Sequence, residues 1–151
     1  MGVVDNFVHL FAPLTANCRD FNRLWENAPA SAPDTVAGRW EGEWVSAASG
    51  HRGRLRCVVE MLEPSVWRMW FRGEYAGVFR ACYSTDFSAK REGDHWTFSG
   101  GSDLGALAGG RYSYEGSTTP TEFRSGYRSA RDHGEFRLKK LAPRPPDEKR
   151  A

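Results

Sequence analysis

The alternation of apolar and polar residues between Gly38 and Leu141 constrains this chain more than any other feature. In its first segment Trp40, Gly42 and Trp44 alternate with charged residues, which is the period-two pattern of a strand with one buried face. About eight such segments follow one another, separated by turns that contain Gly, Pro, Asp and Ser. The sequence therefore predicts an antiparallel meander of strands with aromatic residues on one side.

A meander of this size has to hide its apolar face. An open sheet would need a second layer, and the only helical pattern lies before Gly38. Rolling the sheet into a barrel buries the aromatic face against itself and removes both edges. We therefore expect a mainly β fold, an eight-stranded antiparallel up-and-down barrel with an N-terminal helical plug.

The chain of 151 residues is long enough for one core, and three regions are predicted within one domain. Residues 1–36 form a helical segment and linker, with a break in the helix at Pro13. Residues 37–141 form the barrel. Residues 142–151 are rich in Pro and charge and are expected to be a disordered tail.

Gly38-Arg39-Trp40, preceded by a short helical segment, resembles the Gly-x-Trp signature of the lipocalins and the wider calycin group. The resemblance implies a small lipocalin-like barrel with a helical plug at one end, and an apolar small molecule as the ligand. In these families an arginine from the last strand often packs across the tryptophan. Arg137 is the residue that matches this position.

Charge and cysteine content exclude several classes of protein. The net charge is +2 and the two signs are interspersed, so no nucleic-acid partner is expected. We expect no signal peptide and no membrane span.

Cys18, Cys57 and Cys82 cannot all pair with one another and lack metal-ligand spacing, which favours reduced thiols in a cytoplasmic protein over a disulfide. No metal and no cofactor are expected.

Strand parity predicts which end of the barrel carries function. The connections after the first, third, fifth and seventh strands leave at the same end, and the N-terminal helices enter at the other. The first end is therefore the expected open mouth. Its connections, at 49–53, 73–77, 100–110 and 130–134, carry His51, Glu74, Tyr75, Asp103, Asp132 and His133.

The inward aromatic residues either fill an eight-stranded barrel or line a cavity. Tyrosine hydroxyls and indole nitrogens need partners when they are buried, which favours a partly hydrated pocket. The leading hypothesis is that the barrel binds a small apolar or aromatic molecule. The residues expected to contact it are Trp44, Phe71, Tyr75, Tyr83, Trp96, Asp103, Tyr112 and Tyr127.

Two histidines suggest an alternative. His51 and His133 each precede a glycine just ahead of a strand expected to flank the first strand, so their side chains are predicted to approach each other, with Asp132 beside them. A cofactor-free cyclase or isomerase would use a rim histidine as acid or base, whereas ordinary turn chemistry explains the same residues. A third hypothesis is an interaction module with a filled barrel and an exposed Trp70 side.

Overall fold

The computed structural model describes residues 18–28, 34–75, 79–103 and 110–142. Helix α1, Cys18–Asn27, precedes eight strands. The strands are β1 Gly38–Ser46, β2 Arg52–Glu63, β3 Val66–Tyr75, β4 Phe79–Glu92, β5 His95–Asp103, β6 Arg111–Thr118, β7 Glu122–Arg128 and β8 His133–Lys140.

The strands form one closed barrel. Each pairs antiparallel with the next, and β1 also pairs with β8, with Gly42 opposite Leu138. The predicted fold class is confirmed: a mainly β, eight-stranded, up-and-down barrel. Closure satisfies the backbone groups of every strand and leaves no open edge.

Period-two alternation continues around the barrel. In β7, Phe123, Ser125 and Tyr127 are buried, and the residues between them are exposed. The outward side chains are largely charged, and several form ion pairs between neighbouring strands. Arg68 and Asp86 meet at 2.8 Å, and Glu41 accepts hydrogen bonds from Arg54 and Arg56.

The end of the barrel opposite the predicted mouth is closed in part by the residues that lead into β1. Val36 is fully buried there, and its carbonyl oxygen accepts a hydrogen bond of 2.9 Å from Nε1 of Trp40. Lys140 is paired with Trp40 across β1 and β8, and its Nζ donates to the carbonyl of Thr35. The Gly-x-Trp tryptophan therefore lies in the bottom of the barrel.

Arg137 does not pack across Trp40, contrary to the resemblance. Its neighbours Phe136 and Leu138 point inward, so Arg137 faces outward and pairs with Glu135 at 2.5 Å. Lys140, not Arg137, is the β8 residue that is paired with Trp40 and faces the same side of the sheet. A lysine therefore takes the position that the resemblance assigned to an arginine.

The expectation that all three cysteines are reduced is wrong. Cys18 at the start of α1 and Cys82 on β4 form a disulfide, and Cys57, inside the barrel, is the free thiol. Residues 64 apart in the sequence meet because Cys82 faces outward under the helix. Disulfides persist mainly in oxidising compartments, so the thiols no longer support the cytoplasmic location, which stays a prediction.

Helix α1 packs against outward-facing residues of the barrel. Phe21 and Trp25 are buried against Val58 of β2 and Cys82 of β4, and Trp70 of β3 packs beside them. The Trp25 ring lies between the guanidinium groups of Arg39 and Arg56, 5.2 and 5.1 Å from its centroid. The helix therefore covers the wall and reaches the barrel end at Arg39, where Val36 fills the interior.

The side of the barrel that carries Trp70 is not exposed, contrary to the expectation for an interaction module. Trp70 is partly buried beneath α1, and its indole nitrogen donates to a carboxylate oxygen of Glu60.

The helix expected before Pro13 and residues 143–151 of the tail lie outside the described residues. In the described part of the chain, no helix has the length and apolar character needed to cross a membrane.

Candidate functional site

A ring of four aromatic side chains spans the barrel interior at mid-height. Phe71 of β3 contacts Phe136 of β8 with centroids 5.6 Å apart, and Phe87 of β4 contacts Tyr114 of β6 at 5.6 Å. Phe71–Phe87 and Tyr114–Phe136 contacts of 6.4 and 6.0 Å close the ring. We call these four residues the aromatic layer. It separates a mouth half of the interior from a bottom half.

Tyrosine hydroxyls gather above the aromatic layer. Tyr83 stacks on Phe71 with centroids 5.2 Å apart, and its hydroxyl forms a hydrogen bond with the hydroxyl of Tyr114. The Tyr114 hydroxyl lies 3.0 Å from Oγ of Ser102. Burial raises the pKa of Tyr114 to about 12 and that of Tyr83 well above its ordinary value. Both hydroxyls therefore keep their protons at neutral pH.

Asp132 holds together two sides of the mouth. Its Oδ2 accepts a hydrogen bond of 3.1 Å from the Tyr127 hydroxyl, and its Oδ1 accepts one of 2.6 Å from Oγ of Ser46. Oδ1 also accepts from the backbone N–H of His133 at 2.9 Å. Burial, followed by the charge of Asp132, raises the pKa of Tyr127 far above its ordinary value. The carboxylate therefore ties β1, β7 and the β7–β8 turn together.

Tyr112 adds another hydroxyl at the mouth. Its ring lies 6.5 Å from that of Tyr127, and its side chain hydrogen-bonds to Ser129 in the β7–β8 turn. Burial raises the pKa of Tyr112, although the Ser129 bond opposes this shift. The same serine accepts a hydrogen bond of 3.1 Å from the backbone N–H of Asp132 and so fixes the turn.

Trp44, Tyr75 and His51 form the other side of the mouth. The Tyr75 ring lies 6.0 Å from Trp44 and 5.0 Å from His51. Tyr75 and Tyr83 both point inward, yet both are only partly buried. The mouth half of the barrel thus combines aromatic walls with hydroxyl groups, and two of its inward residues keep part of their surface exposed.

The two histidine side chains lie on different faces of the barrel wall. His51 has inward parity and packs on Tyr75, whereas His133 is exposed with outward parity. Their backbones do flank the end of β1, since the His51 carbonyl accepts from Ser46 N–H and the His133 carbonyl from Ala47 N–H, each at 2.8 Å. Asp132 is engaged by Ser46 and Tyr127. Although their backbones are close, the side chains of His51, His133 and Asp132 do not form one acid–base group.

The remaining predicted contact residues are spread along the barrel. Phe71 belongs to the aromatic layer and Trp96 lies in the bottom half, edge-on to Trp67 at 6.2 Å. Asp103 ends β5 opposite Arg111, and its side chain lies outside the described residues. The structure thus groups Trp44, Tyr75, Tyr83, Tyr112 and Tyr127 at the mouth and separates Trp96 from them.

Two serines that were not among the predicted site residues also lie at the mouth. Ser102 contacts Tyr114, and Ser46, 1% exposed, contacts Asp132. Both have inward parity on their strands, so the alternation pattern contained the signal. Serine is too common in loops and strand ends for its type to single it out.

Other concave surfaces lined by described residues lie on the outer wall. One open groove crosses β5 to β8 between Ser99, Ser113, Glu115, Arg128 and His133. Among the described residues, no three His, Cys, Asp or Glu side chains are placed to hold a metal ion.

Comparison with known proteins agrees on the fold. No protein-family model matches the sequence, and no curated protein matches it either. Among solved structures, the chain is similar to a redesigned β-barrel, mFAP1, bound to DFHBI, with 12% identity and a TM-score of 0.51. The match covers 73% of this chain and 98% of that one. The chain folds as a lipocalin-like small barrel.

Proposed function

We propose that this barrel binds a small apolar or aromatic molecule at its mouth, above the aromatic layer. The observation that carries the proposal is the set of inward hydroxyls of Tyr83, Tyr112 and Tyr127 over an apolar floor. Small-molecule sites are mostly apolar, with a few polar groups that orient the ligand. The floor would exclude water from an apolar ring, while the hydroxyls would bond the polar end of the ligand.

Exposure of inward-facing side chains supports an accessible space. Tyr75 and Tyr83 point into the barrel but keep part of their surface in contact with solvent. A side chain packed at the centre of a filled barrel would have no such surface. Their exposure favours a shallow vestibule at the mouth over an interior packed to the rim.

The protonation of the hydroxyls limits the chemistry of the ligand. The tyrosine pKa values at the mouth are raised mainly by burial, so these groups are neutral at neutral pH and both donate and accept hydrogen bonds. Within the described part of the chain, the carboxylate bonded to these hydroxyls is that of Asp132, which is engaged by Ser46 and Tyr127. A neutral ligand with a hydroxyl or carbonyl group at one end fits this arrangement.

The similar redesigned barrel gives a further argument by analogy. It is bound to DFHBI, so a barrel of this fold is compatible with a small-molecule ligand. A histidine acid–base reaction is not part of the proposal, because His133 is exposed on the outer wall and His51 packs on Tyr75, while the carboxylate of Asp132 is engaged by Ser46 and Tyr127.

Native mass spectrometry of the freshly purified protein tests the proposal first, and a retained small molecule is the expected result. A titration with 2-naphthol, followed by tryptophan fluorescence, then locates the site. Tyr83→Trp should fill the vestibule and weaken binding at least about tenfold. Ser84→Trp, one residue along and facing outward, is the matched control and should bind as the wild type does.

Two results would contradict the mouth site. One is a protein that retains no molecule and does not bind 2-naphthol. The other is equal binding by wild type and Tyr83→Trp, with both variants folded by circular dichroism.

A further inference from the structure

The ladder between β4 and β5 stops short of the mouth, although each of these strands has a neighbour on both sides. β4 stays paired with β3 up to Phe79, and β5 stays paired with β6 up to Asp103. The described pairs between β4 and β5 end several residues earlier, at Phe87 and Gly100. Phe87 belongs to the aromatic layer, so the wall is split between β4 and β5 from this layer toward the mouth.

A side-chain hydrogen bond joins the two strands just above the end of their ladder. Oγ1 of Thr85, a buried inward residue, donates to the carbonyl oxygen of Gly101 at 3.0 Å. A hydroxyl bond of this kind holds two strands less firmly than a continued backbone ladder does. The β3–β4 pair and the β5–β6 pair can therefore separate here without loss of pairing within either of them.

A pocket on the outer surface lies at the split. Its lining includes Ser84, Asp86 and Gly101, which face outward, and also Thr85 and Ser102, which have inward parity. Because residues of both faces line one pocket, it reaches into the thickness of the wall. The three outward residues are exposed, and Gly101 has no side chain to cover the split.

The hydroxyl groups of the mouth site lie directly behind this pocket. Oγ of Ser102 is 3.0 Å from the Tyr114 hydroxyl, which in turn bonds to the hydroxyl of Tyr83. Burial first, and then Tyr114 and Cys57, raise the pKa of Tyr83, so the buried Cys57 thiol lies in the same part of the interior. A molecule that passed between β4 and β5 would therefore arrive above the aromatic layer.

We propose that residues 84–86 of β4 and 101–102 of β5 form a side gate, through which a small flat molecule enters and leaves the mouth site. This inference rests on the function proposed above and adds the route that the ligand takes. Breaking the Thr85–Gly101 bond opens the gate. A flat ring needs the least separation of the two strands, so the gate favours this shape.

Stopped-flow binding of 2-naphthol, detected by tryptophan fluorescence, tests the gate. A substitution that acts on the route alone changes the association and dissociation rates by the same factor. Thr85→Val removes the bond across the split and should raise both rates about fivefold. Ser84→Trp places a large side chain on the outer lip, outside the bound ligand, and should lower both rates about tenfold at unchanged affinity. Ser117→Trp, the same change on the outer face of β6, is the matched control and should alter neither rate.

Cys57 allows a second measurement that needs no ligand. Methyl methanethiosulfonate is a small neutral reagent that modifies a thiol it can reach, and mass spectrometry follows the reaction. Because Cys57 is fully buried, its labelling in the native protein requires an opening of the barrel. Ser84→Trp should slow the labelling about tenfold and Thr85→Val should accelerate it, whereas the β6 control should react as the wild type does.

The two measurements separate failure of the gate from failure of the mouth site. Absence of 2-naphthol binding to the wild type would contradict the mouth site, and the labelling rates of Cys57 would then decide on the gate. Where 2-naphthol binds, its rates decide. The gate is overturned if folded Ser84→Trp exchanges 2-naphthol at the wild-type rates or, without ligand binding, labels Cys57 at the wild-type rate.

Discussion

The indole Nε1 of Trp44 on β1 donates a hydrogen bond to the backbone carbonyl oxygen of Glu74 on β3, 3.0 Å away, across β2. The crossing is possible because Gly53 of β2 has no side chain. A Cβ at this position would lie 1.7 Å from the Glu74 oxygen and 2.6 Å from Trp44 Nε1. One hydrogen bond therefore joins β1 to β3 at the mouth, over the glycine of β2.

Gly53→Ala should destabilise the barrel by about 2 to 4 kcal/mol, because the methyl group overlaps a backbone oxygen and breaks the Trp44 bond. Urea denaturation measures the change. Gly73→Ala is the control, since the nearest atoms to its Cβ are at 3.8 Å, and it should change the free energy of unfolding by less than about 1 kcal/mol. A Gly53→Ala protein as stable as wild type would contradict the crossing.

The Cys18–Cys82 disulfide should contribute about 4 kcal/mol to stability, because it closes a loop with a sequence separation of 64 residues in the unfolded chain. Cys18→Ser/Cys82→Ser should lose this contribution, and its stability should not respond to reductant. Thiol titration in guanidinium should give one free thiol per chain, Cys57, before reduction. Three free thiols in protein purified without reductant would show that the disulfide does not form.

Alkaline pH should destabilise the barrel through its buried tyrosines. Burial raises the pKa of Tyr114 to about 12, from about 10 in an unfolded chain, so the folded protein keeps a proton that the unfolded one releases. The stability is fully present below pH about 10 and is lost as pH rises toward about 12, on the order of 3 kcal/mol for this residue. The tyrosinate absorbance of the four buried tyrosines, followed together with circular dichroism, should rise only as the protein unfolds. Ionisation of Tyr83, Tyr112, Tyr114 and Tyr127 in the intact fold near pH 10 would contradict their burial.

Asp132→Ala should destabilise the protein by about 1 to 3 kcal/mol, because it leaves the buried Ser46 hydroxyl and the Tyr127 hydroxyl without their acceptor. Asp132→Asn keeps one acceptor oxygen and should cost less. Asp86→Ala, which removes an exposed ion pair with Arg68, is the surface control. Thermal unfolding measured for the three variants should rank Asp132→Ala lowest.

The barrel was predictable because its signal is local. Each strand carries its own alternation, and a meander of strands with one apolar face is best buried by closure. The same face rule requires that inward Leu138 lie opposite an inward residue of β1, and in the structure this residue is Gly42. The prediction of a common mouth for Tyr75, Asp132 and His51 followed from strand parity alone.

Pairing between distant residues needed the tertiary structure. Nothing local distinguishes Cys18 and Cys82 from Cys57; the disulfide depends on α1 lying over the outward face of β4. Alternation around Phe136 and Leu138 already turns Arg137 outward, but the pairing that places Lys140 beside Trp40 was visible only in the tertiary structure.

The sequence by itself determined that this chain forms a closed aromatic-lined barrel and which of its ends carries the polar loops, because period-two patterning fixes which side chains face inward. Only the tertiary structure decided how the interior is divided. The contact of Phe71 with Phe136 joins strands that are not neighbours, and the unpaired indole of Trp67 lies beneath that layer. Such contacts depend on side chains meeting across the barrel, and no pattern within a single strand contains that information.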